Sequence, residues 1–346
     1  MNPPRLILSG LHRGENPQPG AGLIKSIRAQ FPGAFIIGLV YDAMESGIYM
    51  VDGPDQVYAM PYPTSGAQAY FRRLDEILAL SPADILIPTL DAEIELLVHL
   101  EEEITRRGLR CVLPDKLTLQ RRSKANLTEL ANLCDVAVPD TQPIYDLSGA
   151  YAVSRGLEFP LMVKGQYYDA KKVQHEGELA AAVSRLAAEW GAPVILQKCV
   201  DGPEFNALGL GDGKGGLVGL CCIRKTILSD KGKGLGGITI NDPRLTDLCE
   251  RLVRELKWNG PFEVELILDE KRGEYFLIEI NPRFPAWVDF PSQCGANFAG
   301  ALVRRLLDGV WPASLPTCPA GHFYLRHQIE VHGHVNQIAE LAGTYA

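Results

Sequence analysis

FLIEINPRF, Phe276 to Phe284, sets Phe276, Leu277, Ile278 and Ile280 against polar residues at every second position, Glu279, Asn281 and Arg283. Side chains on a strand alternate between faces, so a carboxylate, an amide and a guanidinium share one side of an otherwise dry strand. Upstream, PFEVELILDEKRGEYFLIEIN, Pro261 to Asn281, reads as two strands joined around Lys271-Arg272-Gly273. A three-residue loop ending on a left-handed glycine is a common hairpin. Centred on Arg272, it sets Glu265 across from Glu279 and Glu263 across from Asn281. Directly opposed carboxylates repel and weaken the strand pair. A hard divalent cation between them reverses that sign, and Mg²⁺ takes carboxylate and amide oxygens in company with substrate phosphates. A plainer reading stays open: an exposed polar face on which Arg283 relieves the repulsion.

The whole chain is compatible with such a site. Its 346 residues suffice for two or three compact subdomains, and a hydrophobic content of 46% is ordinary for a soluble globular protein. A formal net charge of −8 argues against general binding to nucleic acid or to anionic membranes. No apolar run approaches the roughly 18 residues of a membrane span, and no signal-peptide pattern is visible, so a cytoplasmic location is expected. The eight cysteines form no Cys-x-x-Cys and sit in apolar stretches, the usage of small buried hydrophobes in a reducing compartment. His322, His327, His332 and His334 crowd the C-terminal end without a closed zinc spacing and read as polar loop or strand-edge residues.

Strand-like runs in the first third cover Arg5 to Ser9, Ala34 to Tyr41, Asp84 to Pro88 and Arg110 to Leu113. Helical patterns lie between them, at Leu23 to Phe31, Ala69 to Leu80 and Glu93 to Arg107. Alternation of this kind predicts a parallel sheet covered by helices, with ligands at the carboxyl ends of the strands. The loop His12 to Gly22 follows the first strand but lacks GxGxxG, which speaks against a nicotinamide site. In Thr89 to Glu93, Asp91 reads either as a helix cap or as a substrate contact.

From Pro114 the texture changes. Asp115 to Leu133 is helical and broken, residues 157 to 164 form a strand ending on Lys164, and helix signals return at Glu178 to Trp190. Short strands follow at Val194 to Val200, Phe205 to Leu210 and Leu217 to Lys225. A helix at Leu245 to Leu256, the hairpin Phe262 to Ile280 and a helix near Ala299 to Leu307 complete an α+β pattern with antiparallel strands. Lys164 is a charge at the end of an apolar strand, a position that asks for a ligand. QKCVDGPEF, Gln197 to Phe205, offers a strand edge whose backbone can pair with a base. Gly211 to Gly216 reads as an ordinary hairpin turn, while Ser229 to Gly237 has glycine hinges but no Walker A pattern. Arg224 and Lys225 read equally as phosphate-directed or as a solvated strand end.

Taken in order, these pieces resemble an ATP-grasp enzyme of the branch that includes carbamoyl-phosphate synthetase large chains and biotin carboxylase. FLIEINPRFPAWVDFPSQCGANF, Phe276 to Phe298, is similar to that family's strand-end E-x-N-P-R signature and the helix after it. RSKANLTELANLCDVAVPDT, Arg122 to Thr141, resembles its first lysine helix, and FPLMVKG, Phe159 to Gly165, its second lysine strand. The resemblance implies a Rossmann-like pre-ATP-grasp domain at 1–115 and an α+β ATP-grasp domain with antiparallel sheets at 116–346. A lid subdomain would span about 155–200.

The resemblance also implies roles. Lys124 and Lys164 would contact the ATP phosphates. Gln197, Lys198, Cys199 and Val200 would line the adenine slot, with Glu204 on the ribose. Glu265, Glu279 and Asn281 would bind Mg²⁺ or Mn²⁺, and Arg283 with Lys164 would steady the transferred phosphoryl group. Family members follow the second lysine with a glycine-rich loop. Here GQYYDAKKVQ, Gly165 to Gln174, has one glycine, two tyrosines and Lys171-Lys172, so a stiffer or shorter cover is expected.

The expected activity is an ADP-forming ligase that activates a carboxylate as an acyl phosphate for attack by an amine or thiol. Small-molecule partners follow, an amino acid or peptide among them, and a homodimer is implied. Bicarbonate activation and a non-catalytic ATP sensor are the alternatives. Trp287 and Asp289 read either as part of the acyl-phosphate site or as a core aromatic and a helix cap.

Overall fold

The computed structural model describes residues 3–14, 16–165, 169–229, 232 and 234–343. The chain divides into two compact units: residues 1–116, 207–263 and 281–346, and residues 117–206 and 264–280.

In the first unit, four short strands make a wholly parallel sheet in the order Gln56–Ala59, Phe35–Val40, Arg5–Leu8, Ile85–Ile87. Leu6, Leu8, Ile36, Val40, Ile85 and Ile87 are essentially inaccessible, and Leu23, Ile24 and Ile27 of the Gly20–Gln30 helix join the same core. Parallel strands need crossovers, and the continuous apolar runs of the sequence provide buried strands for helices to cover.

Two expectations are corrected here. Arg110 to Leu113 contributes only an isolated bridge, Arg110 with Ile85. Its later groups are engaged elsewhere: the Asn259 side-chain amide donates to the Leu113 carbonyl at 3.0 Å, and Pro114 has no N–H to extend a ladder. The single helix expected over Glu93 to Arg107 is two, Asp91–His99 and Glu101–Arg106, broken at Leu100. Glu101, Glu102 and Glu103 favour a fresh start there, since acidic side chains complement a helix N-terminus.

In the second unit, an antiparallel sheet runs in the order Thr141–Ile144, Val194–Lys198, Leu161–Lys164, Ala170–Val173. The helices Leu147–Leu157, through Ala150, and Glu176–Trp190, through Leu179, Val183 and Leu186, share a core with Leu161, Val163 and Leu196 of this sheet. Asp146 caps the first of these helices, accepting from the Gly149 amide at 2.7 Å.

A third sheet has six strands in the order Glu274–Asn281, Asn259–Asp269, Glu204–Asp212, Leu217–Leu228, Gly234–Ile240, Phe323–Leu325. The turn at Gly211 to Gly216 is a plain hairpin closed by Asp212, whose carboxylate accepts from the Lys214 and Gly216 amides at 2.7 and 2.8 Å. The loop between Asn259–Asp269 and Glu274–Asn281 has four residues, Glu270 to Gly273, not three. Asp269 accounts for the extra one: its carboxylate accepts from the Lys271 and Arg272 amides and its carbonyl from Gly273, which takes φ +66°.

None of the eight cysteines is joined in a disulfide among the described residues, and His322, His327, His332 and His334 are exposed. Among the described residues no helix is long and apolar enough to cross a membrane.

The turn from Arg5–Leu8 into the Gly20–Gln30 helix depends on a close approach. Gly20 donates its amide to the Gly10 carbonyl at 2.8 Å, and a Cβ there would lie 2.5 Å from the Ser9 oxygen and 2.6 Å from that of Gly10. Backbone oxygens cannot rotate away, so Gly20→Ala is expected to destabilise the chain by about 1–3 kcal/mol. Urea denaturation measures this; an unchanged midpoint would mean the helix start can shift freely.

Candidate active site

Lys164 is the last residue of the Leu161–Lys164 strand, paired with Ile195 on one side and Ala170 on the other. Only 7% of it is exposed. A buried ammonium is costly unless charge of the opposite sign is near, and here burial pushes the amine down to about 8. Glu279 and Glu265 both pull in the opposite direction, while Lys124 adds to the fall. Lys124 opens the short turn Lys124–Asn126, and its Nζ lies 3.2 Å from Glu279 Oε1. The second unit thus gathers two lysines and two carboxylates that the sequence scatters from position 124 to position 279. Glu265 and Glu279 are hard oxygen donors of the kind a magnesium ion accepts. Among the described residues no three His, Cys, Asp or Glu side chains are grouped to hold a metal ion. A cation on these two carboxylates would draw further oxygens from elsewhere, phosphates first.

The residues expected around a base are arranged less simply. The Val194–Lys198 strand is interior, hydrogen-bonded between two neighbours, so it is not an edge up to Lys198. Gln197 turns its side chain into the sheet layer, donating to Thr141 Oγ1 at 2.9 Å, and Lys198 is exposed with its amide on the Asp140 carbonyl. The chain leaves this sheet at Cys199 and Val200, both half-buried, and joins the six-stranded sheet at Glu204. Gly202 in this turn admits no side chain, since a Cβ would sit 1.9 Å from the Leu268 oxygen.

The Glu274–Asn281 strand stops at Asn281, because Pro282 cannot continue a ladder, and Arg283 sits in a bend beyond it. Asn281 donates through Nδ2 to Glu263 at 3.2 Å, as cross-strand neighbours would. The second Glu263 oxygen accepts from Trp287 Nε1 at 2.8 Å. Arg283 donates through Nε to Asp91 Oδ2 at 2.9 Å and through a terminal nitrogen to Asn281 Oδ1 at 3.4 Å. Asp91 is the first residue of its helix, not the cap. The capping work falls to Glu93, whose carboxylate takes the Thr89 and Leu90 amides at 3.1 Å each. Trp287 is buried at 6% exposure yet ends on a polar contact, and Asp289 accepts from Ser26 at 3.1 Å.

Sequence reasoning passed over Glu263 as a holder of Asn281 and Trp287, and over Asp91 as a partner for Arg283. The signal for the first was the hairpin register itself; the second joins residues 192 apart and left none.

Ser65 lies with Tyr41, Asp42, Met60, Tyr62 and Leu341 around a cavity of about 440 Å³. The cavity sits at the carboxyl ends of Phe35–Val40 and Gln56–Ala59, where ligands gather in parallel sheets. Glu15 of the first loop, Gln166, Tyr167 and Tyr168 of the expected phosphate cover, and Asp230, Lys231 and Lys233 of the glycine-hinged loop lie outside the described residues.

No family model matches the chain. The arginine-specific carbamoyl phosphate synthase large chain of Lactiplantibacillus plantarum is 23% identical over 243 residues, which is 64% of this chain and 23% of that protein. The chain thus spans under a quarter of that relative. The crystal structure of L-amino acid ligase from Bacillus licheniformis superposes with a TM-score of 0.66 at 17% identity, over 89% of this chain and 75% of that one. The biotin carboxylase domain dimer of Hydrogenobacter thermophilus 2-oxoglutarate carboxylase, solved with MgADP and bicarbonate, gives a TM-score of 0.68 at 18% identity, over 89% and 70%. Mixed α/β structure with antiparallel sheets is common to these neighbours and this chain, and with the motifs above the chain resembles the ATP-grasp superfamily, in the branch of carbamoyl-phosphate synthetase and biotin carboxylase.

Proposed function

We propose that the protein is an ADP-forming ligase that converts a carboxylate into an acyl phosphate and passes the acyl group to an amine or other nucleophile. The observation that carries the reading is Lys164, an ammonium kept almost wholly out of water beside Lys124, Glu279 and Glu265. A fold gains little stability from such a cluster, but a polyphosphate with its metal gains a great deal. In this reading Lys124 and Lys164 bind phosphate oxygens, and Cys199 and Val200, where the chain leaves the sheet, lie against the base with Gln197 and Lys198 behind them. Glu204 takes the ribose. Glu265, Glu279 and Asn281 hold Mg²⁺, which supplies charge neutralisation on the phosphates when bound. Residues 1–115 act as a Rossmann-like pre-ATP-grasp domain, 116–346 as the ATP-grasp domain with its lid near 155–200. The assembly is a homodimer, in line with the dimeric Hydrogenobacter domain.

The chemistry proceeds in two displacements. The substrate carboxylate oxygen attacks the γ-phosphorus, the bond to the β-phosphate oxygen breaks, and ADP leaves. The nucleophile then attacks the acyl carbonyl, loses its proton, and inorganic phosphate departs. Both steps move negative charge without needing a protein nucleophile, so fixed cations do most of the work. Arg283 is the cation for the transferring phosphoryl group. The likeness to L-amino acid ligase favours a carboxylate such as an amino acid. The likeness to carbamoyl phosphate synthase and to a domain solved with bicarbonate keeps bicarbonate as the second reading.

Hydroxylamine trapping tests the proposal. Protein, Mg·ATP and pooled carboxylates should yield hydroxamate and ADP in one pool. ADP formed with bicarbonate alone would transfer the assignment to the carboxylating reading, and bound Mg·ATP without any product would leave a nucleotide sensor. Glu279→Gln is expected to lower turnover by about 100-fold or more, because a charge facing the phosphates is lost, with little change in melting temperature. Wild-type turnover in that variant would remove Glu279 from the site.

Lys164 also makes a stability prediction. Its amine titrates near 8 in the fold against an ordinary 10.5 in the unfolded chain. Between those values the unfolded state binds more protons, so the folded state gains stability as pH rises through that window. In metal-free buffer, wild type should therefore gain on Lys164→Met in melting temperature between pH 8 and 10.5. Parallel curves would mean that Lys164 is not buried as an ammonium.

A further inference from the structure

Asp91 is not the cap of its helix; its carboxylate is engaged by Arg283. Both side chains are largely buried, at 14% and 21% exposure, and they meet through Nε, the nitrogen nearest the stem. Gripping a guanidinium by Nε fixes the plane of the group, whose terminal N–H directions are otherwise left to four rotatable bonds. One terminal nitrogen already faces Asn281 Oδ1.

The anchor is itself anchored. Asp91 opens its helix, and the residues before it, Thr89 and Leu90, are tied by their amides to the Glu93 carboxylate. Glu93 is 1% exposed and accepts hydroxyl hydrogens from Ser9 and Tyr41, each at 2.5 Å. Ser9 in turn contacts Thr89 Oγ1 at 3.0 Å. Burial raises the Glu93 carboxyl from its ordinary range, opposed by these donors. Ser9 follows Arg5–Leu8, Tyr41 follows Phe35–Val40, and Thr89 follows Ile85–Ile87, so three adjacent parallel strands converge on one carboxylate at their carboxyl ends. The rigidity of the sheet is thereby delivered to Asp91.

We propose that Asp91 is the positioning residue for Arg283, fixing the direction in which its guanidinium meets the transferring phosphoryl group. Where Arg283 is held is a matter of this geometry; what it does there rests on the ligase reading. Asp91 contributes through the arginine and touches no reacting atom.

Two measurements separate those parts. The arginine Nε–Hε resonance that vanishes in Arg283→Lys identifies the group, and its exchange with water needs no turnover. Loss of a charge-assisted hydrogen bond should make that exchange about tenfold faster or more in Asp91→Asn. In the hydroxylamine assay Asp91→Asn should lose about 100-fold in kcat with the ATP KM unchanged, the effect of misaligned groups, and Asp91→Glu should recover part of it. Millimolar guanidinium should partly restore Arg283→Ala but not the Asp91→Asn/Arg283→Ala double variant, which lacks the carboxylate that seats the added cation. Equal rescue of both, or an Hε as labile in wild type as in Asp91→Asn, would overturn the proposal. A protected, Asp91-dependent Hε in a protein that makes no hydroxamate would support the positioning and sink the ligase reading instead.

Discussion

A positive charge that the fold keeps from water is the constraint around which the second unit is organised. Lys164 is buried at the end of a strand whose two neighbours fix its backbone, and it has little room to escape towards solvent. Lys124 beside it makes the electrostatics worse, and Glu279 and Glu265 make them better. Removing either carboxylate leaves cations under-compensated, and removing a lysine leaves the carboxylates so. Such a set is a poor way to stabilise a protein and a good way to receive a polyanion, because the protein has already met the cost of stripping water from its own groups.

The first unit solves a different problem with neutral-looking means. Its asparagine ends a strand and its arginine lies two residues beyond, where backbone hydrogen bonding gives out. Side chains take over: Glu263 ties Asn281 and Trp287 together, and Asp91 takes Arg283. Glu263 also lies close enough to Tyr324 and Arg326 to act on both, and burial raises the tyrosine and lowers the arginine from their ordinary ranges. A polar layer with this many mutual contacts is stiff, since each group's alternatives are already occupied by another.

What the sequence disclosed and what it hid divide along one line. Period-two patterning made the Glu274–Asn281 strand visible, and with it the alternation of Glu279 and Asn281 and the pairing of Glu263 with Asn281. The hairpin loop was misjudged by one residue because Asp269 supplies a side-chain acceptor that mimics backbone. Alternating apolar runs made the parallel sheet visible, but not the loss of Arg110 to Leu113 as a strand, which turns on a long-range contact from Asn259. The Val194–Lys198 strand looked like an edge because periodicity says nothing about neighbours. Asp91 with Arg283, and Ser9 and Tyr41 with Glu93, are contacts between distant segments; no local pattern encodes them. Local physics was legible, and partnership across the chain was not.

The lowered basicity of Lys164 has a chemical side as well as an electrostatic one. An amine that titrates near 8 is uncharged in about a tenth of the molecules at pH 7, and an uncharged lysine is a nucleophile. Under the ligase reading, the enzyme prepares an activated acyl group in the presence of an amine of its own. The intended acceptor then competes with a side chain that never diffuses away. Protonation is what keeps that lysine a spectator, and the carboxylates that draw its basicity upward act as guards against self-acylation. As the medium becomes more alkaline the guard weakens, and the protein's own chain becomes a substrate.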